Sequence, residues 1–154
     1  MSRAARPSTA ALATIHVVLP VLAGALVYVA WRSPSLRVFA WADSVAAGRW
    51  VETLRVSAAP CRARLPGFVL FCLPDGLWAY AFAASVRLVW AGSRTRSARL
   101  WWRATVAAVV VPELAQGFGL LPGTFDVWDL VVSIAAMVAA VFAVHAVPAT
   151  PVAI

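Results

Sequence analysis

Four of the six acidic residues in this 154-residue chain could do chemistry together: Asp75, Glu113, Asp126 and Asp129. Glu113 and Gln116 are spaced i, i+3, as are Asp126 and Asp129, with Ser133 one turn further on. On helices, each set points one way. Carboxylates gathered in a low dielectric cannot all be ionised unless a cation or an arginine intervenes, and such a group suits acid/base work or cation binding. Glu113 is the candidate acid/base, oriented by Gln116. Asp75, Asp126, Asp129 and Ser133 are candidates to bind a cation or a polar headgroup. An all-oxygen set would favour a divalent cation such as Mg²⁺, Ca²⁺ or Mn²⁺ over Zn²⁺. A structural account competes with this one. Asp75 and Glu113 could be neutral acids bridging helices, Asp126 a helix cap, and both Asp126 and Asp129 partners of a helix dipole.

The elements that must position these groups are apolar. Hydrophobic residues make up 63% of the chain and charged ones only 12%, and the mean hydropathy is +0.85, well outside the usage of soluble domains. The expected fold class is all-α: one integral membrane domain with four transmembrane helices at about 10–31, 66–91, 100–121 and 125–147. The first apolar run is longer than the core of a secretory signal and reads as a retained anchor, kinked at Pro20. Residues 32–64 carry six Arg with interleaved aromatics and read as an outward amphipathic helix lying in the membrane interface. Pro74 and Pro112 each precede an acid, which makes locally irregular, polar backbone plausible at both points.

All the positive charge comes from Arg, with a net charge of +7 and a pI of about 11.3. No nucleic-acid recognition motif accompanies it, so the expected partner is the lipid bilayer, with no nucleic acid. The Arg-rich 92–99 loop and the N-terminus with Arg3 and Arg6 belong on the cytoplasmic side, which returns the C-terminus there too. The six Arg of the outward segment run against that rule. Asp75 and Glu113 then lie about 14 and 12 Å below the outer surface at 1.5 Å per residue. An ionised group at that depth costs roughly 2.5–3.5 kcal/mol and should turn inward. Arg87 and Arg103 are about 18 and 15 Å away along their helices. His16 and His145 sit near the inner ends. Arg55, Arg62 and Arg64 remain as partners, or a group from outside the chain. Cys61 and Cys72 read as unpaired small apolar side chains.

Glu113, Gln116, the Pro122-Gly123 turn, Asp126 and Asp129 together resemble the last two spans of the VanZ-like family, and Asp75 stands where that family carries an Asp in an earlier span. Gly76, Ala79, Thr124 and Ser133 replace the family's Lys, His, Arg and Asn, so the resemblance extends only to the acids and Gln116. It implies a four- or five-helix protein of the bacterial cytoplasmic membrane, linked in some members to glycopeptide tolerance. A cell-envelope or lipid-linked molecule would then be bound or processed. A non-enzymatic scaffold or small transport component is the alternative.

Overall fold

The computed structural model describes residues 7–33 and 37–145, and among them every regular element is helical. Arg3, Arg6 and the end of the expected fourth span, 146–147, lie outside the described residues. The first helix, α1 (Thr9–Trp31), contains a π-helical turn at Thr14–Val18 directly before Pro20. Proline has no N–H for the His16 carbonyl, and its ring crowds that group. Widening the preceding turn relieves the clash within an otherwise continuous helix.

The amphipathic segment is not one helix. It forms α2 (Arg37–Ser44) and α3 (Gly48–Ala58), followed by a 3₁₀ turn at Ala59–Arg64. The break falls at Ala46, which has φ of 58°. That conformation ends a right-handed helix. Next comes α4 (Gly67–Phe71), a single short turn, then α5 (Leu73–Val89), α6 (Arg96–Gly117) and α7 (Val127–His145).

Helix α5 is the centre of the bundle: it packs along α1 and α7, and more lightly against α6. Its buried face is made of small residues, Gly76, Ala79, Ala83 and Ala84 among them, which lets neighbouring backbones approach closely. At Gly76 an added Cβ would come within 2.6 Å of Val132 Cγ1 on α7. Further along, Ala83 and Ala84 join Met137, Ala140 and Val144 in the core. The two helices therefore run parallel, with both N-termini at one end of the bundle. Helix α1 runs the other way, its last turn reaching the start of α5.

Two helices, Thr9–Trp31 and Val127–Val144, are long and apolar enough to cross a membrane. In their most apolar windows only 11% and 22% of residues are buried. The exposed residues form outward stripes at helical spacing, Ile15, Leu19, Leu22 and Leu26 on α1 and Val131, Ile134, Val138 and Phe142 on α7. Helix α5 has only 17 residues, and α6 carries Arg96, Arg99, Arg103 and Glu113 along its 22. Neither meets the same standard of length and apolarity.

Candidate functional site

Asp75 comes to its place through a break in the chain rather than by depth in a long helix. Pro74 has no N–H to bond the Leu70 carbonyl, so α4 ends and α5 begins afresh at Leu73. Asp75 thus lies in the first turn of α5, where unsatisfied backbone N–H groups favour a carboxylate. Asp129 occupies the matching first turn of the parallel α7. Glu113 enters from α6, one residue after Pro112, whose ring interrupts that helix's ladder at the Ala108 carbonyl.

These helices form an open cavity of about 330 Å³ lined by Asp75, Pro112, Glu113, Ser133 and apolar residues that include Trp78 and Phe82. Asp129 adjoins it, close enough for its charge to act on both Asp75 and Glu113. Asp129 Oδ1 and Glu113 Oε2 are buried, and among the described residues neither finds a hydrogen-bond partner. Ser133 is buried and offers a hydroxyl to the same space. A hydroxyl and two acids around a small, largely apolar chamber can hold a polar group of a ligand or exchange a proton with it.

The counter-charge is Arg32, at the end of α1. Its Nη2 donates to the Phe71 carbonyl at 3.0 Å and lies 3.3 Å from Asp75 Oδ2. The guanidinium also sits over the rings of Tyr28 and Phe71, 5.5 and 5.3 Å from their centroids, where the ring faces attract a cation. Arg55 and Arg62, expected as partners of the acids, instead cap the C-terminal end of α1. Their Nη1 atoms donate to Val29 O at 2.8 Å and Trp31 O at 2.6 Å, and Arg55 covers the Phe39 ring at 4.8 Å. A helix C-terminus presents unpaired carbonyls and partial negative charge, which guanidinium groups satisfy well. Arg64 is exposed, and no contact joins it to the acids among the described residues.

Asp126 accepts the Trp128 backbone N–H at 2.8 Å and so caps α7. Its carboxylate also converges with Asp129 and the Cys72 thiol, the three donor atoms lying within 4.8 Å of one another. The buried thiol lies beside both carboxylates. Cys72 is thus part of the acidic end rather than a bystander. Its position three residues before Asp75 is the sequence signal for this, a faint one because no second cysteine or histidine accompanies it. If a metal were held here, a sulfur and two carboxylates would suit a borderline ion such as Zn²⁺ better than Mg²⁺, which the expected all-oxygen set would have favoured.

Gln116 does not line the cavity. It lies against Gly123, where an added Cβ would come within 2.7 Å of its Cδ, and no hydrogen bond joins it to Glu113 among the described residues. The i, i+3 spacing does not align them because Glu113 faces α5 while Gln116 meets the connection to α7. No family model, curated protein or solved structure matches the chain.

Proposed function

We propose that this chain is a multi-pass protein of the bacterial cytoplasmic membrane, of VanZ-like type, whose acidic cavity faces the outer leaflet and binds or processes a cell-envelope or lipid-linked molecule. In this reading α4 with α5, and α6, complete a four-span bundle with α1 and α7. Both termini are cytoplasmic, and α2 and α3 rest in the outer interface. The membrane placement is supported by the outward apolar stripes of α1 and α7, since a soluble core helix of that composition would be buried. Exposed Trp41, Trp50, Phe118 and Leu120 near the acidic end add an interfacial rim.

The observation that carries the functional reading is the meeting of Asp75, Glu113 and Ser133 around one chamber, with Asp129 beside it. Glu113 is the candidate acid/base, and Asp75 and Asp129 orient or neutralise a polar headgroup. The test is glycopeptide susceptibility of cells expressing the chain, with protein level in the membrane measured alongside. Glu113→Ala and Asp129→Ala should each abolish any protection given by the wild-type chain while its level is maintained. Protection unchanged by both substitutions would remove the cavity from the function.

The scaffold reading is favoured by one specific contact, the Arg32–Asp75 ion pair joining α1 to α5. There the acids bridge helices and do nothing else. Under that reading Glu113→Gln keeps both function and melting temperature, because a neutral hydrogen-bonding group suffices. Under the cavity reading it keeps the melting temperature and loses function.

A further inference from the structure

The chamber between α5, α6 and α7 presents acceptors and almost nothing that donates. Its lining holds two carboxylates, Asp75 and Glu113, and the Ser133 hydroxyl, with Asp129 one turn before Ser133 on α7. Trp78 is the one other lining side chain with a polar atom, and its indole N–H already donates to Val21 O at 3.3 Å. Ser133 is 5% exposed, and among the described residues its hydroxyl takes part in no hydrogen bond. Glu113 Oε2 and Asp129 Oδ1 are buried and equally without partners. Buried oxygens left in this way have lost water and gained nothing for it, and a guest that donates hydrogen bonds makes good the loss.

Charge narrows the guest further. Arg32 stands 3.3 Å from Asp75, while Arg55 and Arg62 are engaged with carbonyls at the end of α1. Among the described residues no ion pair reaches Glu113 or Asp129. Such a lining repels an anion, and a neutral sugar leaves its charge unmatched. A hard metal ion asks for about six oxygen ligands, and most of this wall is aromatic or aliphatic. A primary ammonium brings three donors and one positive charge on a carbon stem, and the rings of Trp78 and Phe82 attract a cation set over their faces. The cavity opens between α5 and α6, where Phe82 is 38% exposed and Ala108 stands at the surface. In the proposed placement that opening faces the bilayer, so a headgroup has a lateral way in.

We propose that the acidic chamber binds a primary ammonium, carried on a lipid headgroup such as that of phosphatidylethanolamine or on a small soluble amine, with Glu113 and Ser133 accepting its hydrogen bonds and Asp129 adding negative charge beside them. The inference rests on the reading of this cavity as a binding site and names the chemistry of its guest. Methylating the nitrogen keeps the charge and removes the donors. A site built of buried acceptors therefore prefers ethanolamine to choline, whereas a diffuse negative field treats the two alike. Glu52 carries the same charge on α3, on the outer side in the proposed placement, and does not line the chamber.

The experiment uses the full chain in neutral detergent with phosphatidylethanolamine and phosphatidylcholine of matched acyl chains. Native mass spectrometry reads which lipid is retained, and thermal unfolding reads protection by ethanolamine, choline or Mg²⁺ added to the chain in phosphatidylcholine alone. The wild-type chain and Glu52→Gln should prefer the primary amine over its trimethylated form. Glu113→Gln, which keeps the size and removes the charge, should lower that preference roughly tenfold, the loss of one charge-assisted hydrogen bond. Ala108→Phe fills the opening from an exposed position and leaves every carboxylate in place, so it should lower the preference as far and guards against misfolding of the charge variant. A preference seen with the lipids alone supports a headgroup, and one seen equally with free ethanolamine supports a soluble amine. No preference in either form overturns the proposal, as does one that survives both Glu113→Gln and Ala108→Phe or falls equally in Glu52→Gln. Protection by Mg²⁺ with none from either amine overturns the ammonium in favour of a metal ion. Glycopeptide protection abolished by Glu113→Ala in a chain with no amine preference would remove the ammonium and leave the role of the cavity standing, so the two failures are told apart.

Discussion

Arg32 decides the electrostatics of the acidic end. Both side chains of its pair with Asp75 are partly exposed, at 24% and 33%, so the interaction belongs between a surface ion pair and a buried one. Exposed pairs contribute about 0.2–1 kcal/mol, whereas stripping one partner from a buried pair costs about 3–5 kcal/mol. Arg32 also loses two ring contacts and a carbonyl contact if removed. Arg32→Gln should therefore destabilise the bundle by about 1–3 kcal/mol. Asp75→Asn should cost less, because the amide can still accept from the guanidinium. The double variant should recover part of the Arg32→Gln loss, since no uncompensated carboxylate remains. Strict additivity of the two losses in detergent melting curves would mean that the pair is not coupled. The acids themselves were legible in the sequence, because charge in so apolar a chain is conspicuous. Their counter-ion was not: Arg32 looked like the flank of a span, and only the break at Pro74 raises Asp75 to its level. Local spacing likewise grouped Gln116 with Glu113, while the approach of the 118–126 connection turns Gln116 onto Gly123.

At the scale of elements, the acidic end depends on α5 and α7 lying side by side with their N-termini level. That register is held where Gly76 meets Val132. Gly76→Val should wedge the two helices apart, cost about 1–3 kcal/mol, and lower the melting temperature in detergent. Gly67→Ala is the control: an added Cβ there finds nothing nearer than Phe71 Cδ2 at 3.9 Å, so the change should stay within about 0.5 kcal/mol. Equal destabilisation by both would mean that close helix approach at Gly76 is not what holds the pair. The helical class and the helix positions followed from long apolar runs bounded by Arg, Pro and Gly. The split of the amphipathic segment did not, because Val-Ala-Ala-Gly carries no strong breaker before Gly48 and the turn is imposed by a left-handed Ala46. That Pro20 disturbs its helix was legible, since proline must crowd the turn preceding it; that the disturbance takes the form of a π-helical turn was not.

Across the whole molecule the charges are divided between two ends. All four acids of the cavity and its rim lie with the N-termini of α5 and α7, where Arg32, Arg55 and Arg62 are engaged with Asp75 and the end of α1. The five arginines from 87 to 103 gather at the opposite end. Three of the six arginines of residues 32–64, which in the proposed topology run against the charge rule, have a structural explanation: two of them neutralise a helix terminus, and a third neutralises a carboxylate. Discounting these three leaves three arginines in that segment, as many as the 92–99 loop carries, so the proposed orientation, with the arginine-rich end in the cytoplasm, no longer faces an excess of outward charge. Single cysteines at Thr124 and Ser97, in a chain with Cys61 and Cys72 replaced, report each end directly. Both positions are exposed, so a membrane-impermeant thiol reagent reaches either one if it faces outward. On intact cells, labelling at 124 and protection at 97 is the expected outcome, with both labelled after the membrane is opened. The reverse pattern would put the acidic cavity in the inner leaflet and sink its assignment to an envelope substrate. Labelling of both positions on intact cells would mean that the bundle does not separate two compartments, and the membrane-spanning reading would fall with it.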